Sequence, residues 1–372
     1  MVKFLIITHV LHKSNAKQWY AYAPYVREMN LWLKHIDEVE IVAPIIDTSI
    51  SEIDIAYQHD NIKFTQIPAI AFINFSSGLK SLLAIPFILF RLFRACKRAN
   101  HIHLRCPGNI GLLGCFVQIC FPKKIKTAKY AGNWDPKAKQ PLSYKFQKWI
   151  LSNTFLTKNM TVLVYGEWEH QTKNIKPFFT ASFKNSEKED VERRNYKAVL
   201  NFVFVGSLVS GKRPELAIKI VEGLVGKGVQ AKLTLYGDGI LKESLINYVN
   251  VNNLNSFIVL EGNQPLSVIK ENLKTAHFSL LPSKSEGWPK AVAEAMFFGA
   301  IPISTAVSCV SNMLDDGRRG ILIEAEVDSA VNKIISVLDE KDLNKMSKLA
   351  AQWSQNYTLD YFESEIKKLL TK

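Results

Sequence analysis

Two carboxylates, Glu286 and Glu294, stand eight residues apart in the run PSKSEGWPKAVAEAMFFGAIPIST, residues 282–305. The apolar residues 278–281 before it read as a buried strand, Pro289 suits the first position of a helix, and Gly299 suits its stop. A strand, a Ser/Gly loop and a helix in that order make an anion site. Pro289 has no N–H, so the donors at the helix mouth are those of Lys290, Ala291 and Val292. Glu294 then lies roughly 6 to 8 Å further along the axis, about the step from a diphosphate to the ribose of the same nucleotide. Glu286 flanks the other end, where a sugar would hang. Taken alone, Glu294 has a second reading, a pair with Lys290 one turn earlier on a solvated helix face.

Taken together, Glu286-Gly287-Trp288-Pro289-Lys290, Glu294-Ala295-Met296 and Gly299-Ala300-Ile301-Pro302 resemble the E-x7-E motif of family 4 glycosyltransferases. Upstream, a strand over 200–205 runs into Gly206-Ser207-Leu208 and then Gly211-Lys212-Arg213-Pro214, which is similar to that family's G-R-L…K-G segment. Lys212 matches the family's diphosphate-neutralising Lys. Ser207 stands where its Arg is expected, leaving Arg213 or the Ser207 hydroxyl to substitute. After a strand over 232–236, Gly237-Asp238-Gly239 is explained as well by a plain turn as by a phosphate contact. The segment 261–264, with Asn263, resembles the one whose backbone holds the base. The family's usual Gly-Gly is replaced by Ser308-Cys309. The resemblance is close over 203–323 and only topological before it.

The resemblance implies an α/β protein of GT-B fold, with two Rossmann-like doubly wound domains facing a central cleft and a C-terminal helix crossing back to the first. It also implies a retaining, hexosyltransferase-type enzyme moving a sugar from a nucleoside diphosphate donor to a glycan or lipid-linked acceptor, as in bacterial surface polysaccharide assembly. Glu286 and Lys212 would be catalytic. Gly206, Ser207, Arg213, Gly237, Asn263, Gly287, Trp288, Pro289, Lys290, Ala291 and Glu294 would bind the donor. No cofactor and no metal is expected, since the chain has no D-x-D pair for a metal clamp. The rival readings on this architecture are a sugar phosphorylase, an epimerase, or a protein that keeps a sugar nucleotide without transferring it. A dehydrogenase is disfavoured because no G-x-G-x-x-G follows a strand.

The elements that must position these residues follow from length and pattern. A chain of 372 residues suits two domains: an acceptor-binding domain over 1–185, a charged linker over 186–196, a donor domain over 197–355 and a returning helix over 356–372. The opening reads as a strand over 2–8, a helix over 20–34 and a strand over 39–43, hence a parallel sheet. Ligands collect at the carboxyl ends of such strands, which makes His9 and His12 candidates there, and Arg105, Asn133, Trp134 and Asp135 at later strand ends. Arg105 would take an anion, Asn133 and Asp135 hydroxyls, and Trp134 a sugar face.

The surplus of 47 basic over 34 acidic residues, +13, asks for an anionic partner. No zinc spacing or basic-aromatic helix singles out nucleic acid, and none is expected as a partner. Residues 79–99 are apolar with a basic end; their uncharged part, 81–90, is too short to span a bilayer and is interrupted by Pro86. They read either as a helix packed on the sheet or as one lying on an anionic membrane. The five cysteines form no C-x-x-C pair and suit a reducing cytosol. The expected location is therefore cytoplasmic, with peripheral attachment to the inner face of the plasma membrane if 79–99 is exposed.

Overall fold

A computed structural model describes residues 2–371 except 17, 52 and 71–74. The chain divides into two compact units, Met1–Phe179 with Phe362–Lys372, and Thr180–Tyr361. Each is built on a parallel sheet.

The first unit has seven parallel strands in the order Ile175–Phe178, Met160–Tyr165, Ile125–Tyr130, His101–Cys106, Lys3–Ile7, Glu38–Ala43 and Ile62–Gln66. Strand order reverses at Lys3–Ile7, whose neighbours run away from it in opposite directions along the chain. Helices cover both faces of these strands, which is why Leu5, Ile102, Ala128 and Val162 are fully buried, and polar residues such as His101, His103 and Thr127 with them. Helix Ala23–Leu33 begins later than periodicity suggested. Residues Gln18–Tyr22 instead form the middle strand of a small antiparallel sheet with Lys13–Asn15 and Asp54–Ala56, and Pro24 then fits the helix's first turn. Helix Phe75–Arg98 runs through Pro86 without interruption.

The second unit has six parallel strands in the order Ile258–Gly262, Ala231–Tyr236, Leu200–Val205, Phe278–Leu281, Ile301–Thr305 and Ile321–Ile323. Here the order reverses between Leu200–Val205 and Phe278–Leu281, so a crevice opens at their carboxyl ends. The two loops that enter it are 206–213 and 282–289.

Residues 186–196, read as a linker from their charge, pack inside the second unit. Arg194 sends its guanidinium to the carbonyls of Lys274 (2.8 Å), Phe298 (2.7 Å) and Gly299, the carboxyl ends of helices Leu266–Thr275 and Lys290–Phe297. Glu187 and Glu189 pair with Lys270 and Lys274. The charges that suggested a solvated tether are partners of this unit's own helix ends. Gly299, at φ +76°, accommodates the strand of chain beside it: a Cβ there would stand 2.4 Å from Val191 Cγ1.

Three histidines are buried in the first unit. His101 Nε2 and His103 Nδ1 both lie 2.9 Å from the Thr127 hydroxyl, which can accept from one ring N–H and donate to the other ring only while that second ring is neutral. His12 lies beside Pro44 and Ile45, past the carboxyl ends of Lys3–Ile7 and Glu38–Ala43, but its ring is enclosed between the Val10 carbonyl and the Tyr57 hydroxyl and offers no open face to a ligand.

Two predictions follow from this packing. Replacing Arg194 by Met leaves several buried carbonyls without a donor and lowers unfolding free energy by about 2 to 4 kcal/mol in a urea titration; a loss under about 0.5 kcal/mol would contradict the capping role. Burial lowers the pKa of His12 and of His101 from 6.5 to about 4. The unfolded chain therefore takes up protons first as pH falls below 6.5. Their contribution to stability is complete above 6.5 and is lost on the way down to 4. Each histidine accounts for about 2 kcal/mol between pH 7 and pH 5, so an unfolding midpoint that stays constant over that interval would contradict it.

Candidate active site

The site begins with three glycine turns at adjacent strand ends. The Gly206 N–H donates to the Tyr236 carbonyl at 3.0 Å, Leu208 N–H to Asp238 at 2.9 Å, and Gly237 N–H to Gly262 at 2.8 Å. The turns are so close that a Cβ on Gly237, at φ +140°, would fall 2.0 Å from the Gly206 carbonyl oxygen. Gly237 is therefore required by backbone approach, the turn reading of its motif. Asn263 and Ser207 are exposed at the same edge.

Beyond these turns the chain reaches Lys212 and Arg213. Arg213 adopts a left-handed conformation, φ +52°, immediately before helix Pro214–Gly226. That twist turns its guanidinium onto the carbonyls of Pro282 and Ser283, both at 3.3 Å. The side chain expected to stand in for a phosphate-binding Arg thus braces the opposite loop. Lys212 points into the crevice, where its Nζ meets Glu286 Oε1 at 2.6 Å and Oε2 at 2.8 Å. Glu286 retains 7% of its side-chain exposure and Lys212 29%, so the pair is shielded at the carboxylate and open at the ammonium.

The loop carrying Glu286 is tied at nearly every step. Lys284 N–H donates to the Gly211 carbonyl at 2.8 Å, and the Thr305 hydroxyl donates to Ser283 at 2.5 Å. The carbonyl of Gly287, next to Glu286, accepts from the Ser308 hydroxyl at 3.1 Å and from the Cys309 thiol at 3.2 Å. Burial pushes that thiol up to about 12, so it stays a donor. Trp288 stacks on Trp353, centroids 6.0 Å apart, with Tyr357 edge-on at 5.5 Å.

Helix Lys290–Phe297 then leaves from Pro289. The Pro289 carbonyl takes the N–H groups of Val292 (3.0 Å) and Ala293 (3.2 Å), which removes Val292 from the donors expected at the mouth. Ala291 N–H has no backbone carbonyl partner among the described residues. On the same helix the Glu294 carboxylate accepts the Ser182 hydroxyl at 2.5 Å. Serines 182 and 308 and Cys309 were not foreseen as contacts of this loop and helix; Ser182 lies 112 residues from its partner and carries no local signal.

In the first unit the expected residues are less available. Arg105 keeps 11% of its side-chain exposure and is paired with Glu28 at 2.7 Å, its guanidinium 5.3 Å from the Tyr25 ring. Burial acts against its charge, but Glu28 outweighs it and holds the pKa above the ordinary arginine value. It is a core ion pair and not an open anion contact. Trp134, 1% exposed, bonds Gln171 through its indole and packs on Tyr130, so it offers no face to a sugar. Asn133 and Asp135 accept from the backbone N–H groups of Asp135 and Lys137, shaping their own turn. His9 is exposed, and its ring covers Gly108, whose Cβ would meet Nδ1 at 2.8 Å. Packing and then the Arg105 charge lower its pKa.

Residues 185–357 match the family model described as glycosyl transferases group 1. Over 154 residues, 40% of this chain and 38% of the other, the protein is 34% identical to the UDP-Gal:alpha-D-GlcNAc-diphosphoundecaprenol alpha-1,3-galactosyltransferase of Escherichia coli. The matched stretch spans about two fifths of the length of such curated relatives. Whole-chain likeness is structural. The lipopolysaccharide outer core galactosyltransferase WaaB superposes with a TM-score of 0.68 over 99% of both chains at 14% identity. Anabaena HepE in complex with UDP and glucose superposes with 0.67 over 100% of both at 11%. These neighbours establish the α/β GT-B fold, with its two Rossmann-like sheets.

Gly237→Ala should separate the zipped turns. Expected is a soluble protein with a lower melting temperature, the extra Cβ costing about 1 to 3 kcal/mol; an unchanged melting curve would contradict the close approach.

Proposed function

We propose that the protein is a family 4 retaining glycosyltransferase that moves a hexosyl group from a nucleoside diphosphate donor to an acceptor hydroxyl. The observation that carries this reading is the Lys212–Glu286 pair at the carboxyl-end crevice of the second sheet, one helix mouth away from Glu294.

In such a transfer positive charge gathers on the sugar ring while negative charge grows on the departing diphosphate. Stabilising that leaving group is the main task. The Lys212 ammonium has three donors, two of them directed at Glu286, and its exposed side is the one an arriving phosphate would meet. The Ala291 N–H and the positive end of its helix add to it. With this neutralisation supplied by protein groups, the proposal needs no metal. Glu286 is held by Lys212 and by the clamped Gly287 carbonyl, so its oxygens are fixed where sugar hydroxyls and the cationic ring would lie. Glu294, a carboxylate already accepting one hydroxyl, that of Ser182, is suited to the paired hydroxyls of a ribose.

The Escherichia coli relative is named for a UDP-sugar donor and a diphosphoundecaprenol-linked acceptor. That name supports placing this protein in lipid-linked glycan or surface polysaccharide assembly, on the cytoplasmic side where nucleotide sugars are made. Acceptor recognition is assigned to the strand-end rim of the first unit, where His9 is the exposed candidate.

The test is a panel of UDP-, GDP- and dTDP-sugars, read by released nucleoside diphosphate with retained product stereochemistry. Glu286→Gln and Lys212→Ala should each lower turnover by about 100-fold or more while the protein remains folded. Glu294→Ala should weaken donor binding by about 10- to 100-fold in calorimetry. Near-native turnover in either of the first two, or unchanged donor affinity in the third, would overturn the assignment of roles.

A further inference from the structure

Between residues 61 and 166 the chain carries 16 Lys and Arg against one acid, Asp135, more than the whole protein's excess of +13. Four strands of the first sheet run through this stretch and hold Lys63, Arg105, Lys126 and Lys129; seven of the other cations lie on two of the helices between them, Lys80, Arg91, Arg94, Lys97 and Arg98 on Phe75–Arg98 and Lys145 and Lys148 on Leu142–Ser152. Helices Phe75–Arg98, Asn109–Val117 and Leu142–Ser152 follow successive crossovers in one direction and pack side by side as a single layer.

The layer's inner face is ordinary core: Ile88, Leu92 and Ala95 are fully buried against the sheet. Its outer face is apolar as well. Leu79, Leu82, Leu83, Phe87 and Phe90 recur at helical spacing on the solvent side, with Leu83 73% and Phe90 57% exposed. Across the layer, Phe116 meets Phe146 at 5.8 Å and Phe146 stacks on Trp149 at 5.6 Å. Trp149 is 56% exposed, and Phe155, just past this helix, 75%. Soluble proteins rarely leave so many large side chains on one face without use. Cations stand among them: Arg91 lies 5.0 Å from the Phe87 ring, Arg94 5.6 Å from Phe90, and Lys158 5.0 Å from Phe155.

We propose that this three-helix face docks the protein on the surface of an anionic lipid bilayer, its Leu and aromatic side chains entering the headgroup boundary and its Lys and Arg meeting lipid phosphates. Charge selects this occupant over others. The three helices contain no Asp or Glu, so a second copy of the same face would bring like charge against like. A polyanion without an apolar phase would leave the Leu and Phe side chains in water. A bilayer boundary satisfies both, at about fivefold in affinity per basic residue near the surface. No helix among the described residues is long and apolar enough to cross a membrane, and the arrangement is that of a surface lying on one. The proposal stands apart from glycosyl transfer, since it uses no residue of the donor crevice.

Co-sedimentation with vesicles tests it, comparing phosphatidylcholine alone with phosphatidylcholine containing one third phosphatidylglycerol. Wild-type protein should partition at least about tenfold more strongly onto the anionic vesicles at about 0.1 M salt, and release as salt rises. The double substitutions Leu83→Glu/Phe90→Glu and Arg91→Glu/Arg94→Glu, both on exposed positions, should each reduce that partition by about tenfold or more, with far-ultraviolet circular dichroism and donor affinity unchanged. Wild-type protein left in the supernatant, or variants that bind as well as wild type, would overturn the proposal. So would a lipid-free dimer dissolved by Leu83→Glu/Phe90→Glu, which would give the face to a second copy.

Discussion

The ion pair between Lys212 and Glu286 spans the reversal point of the second sheet, and the rest of that unit is arranged to make it possible. The pair joins two loops that leave adjacent parallel strands, Leu200–Val205 and Phe278–Leu281. A carboxylate this shielded loses most of its hydration, which the close ammonium and the fixed dipoles around it replace. Each loop is accordingly tied to the other independently of the pair, Lys284 to Gly211 and Arg213 to Pro282 and Ser283. Ser308 and Cys309 then pin the carbonyl next to Glu286 from a third strand end. The side chains meet because the backbone beneath them has little freedom left.

The same unit shows how charge read along a sequence misleads when the partner is distant. Residues 186–196 look like a solvated tether, yet Arg194 and two of the acids serve the ends of helices 80 to 105 residues further on. A guanidinium suits this task because its planar fork reaches several carbonyls at once.

Legibility in the sequence followed the range of the interaction. The parallel α/β architecture was readable because buried strands and amphipathic helices repeat locally, and so was the helix opening at Pro289 between Glu286 and Glu294, whose spacing is a property of one short segment. The partners were not. Nothing near Glu294 announces Ser182, and nothing near Arg105 announces Glu28. Trp134 and Arg105 were expected at a ligand surface because they follow strands; the structure turns both inward, where Gln171 and Glu28 satisfy them. A strand end locates the rim of a site, but whether its side chain faces the ligand depends on the packing of the next helix. Residues 79–99 have two readings in the sequence, and both faces of helix Phe75–Arg98 are apolar: one is core, the other carries Leu83 and Phe90 in the open.

The central claim is that the crevice closed by Lys212 and Glu286 receives a sugar nucleotide's diphosphate. A crystal structure with a bound nucleoside diphosphate tests it most directly. The account predicts phosphate oxygens within about 3 Å of Lys212 Nζ and Ala291 N, with the ribose hydroxyls on Glu294. A nucleotide bound elsewhere, with the crevice empty, would contradict it.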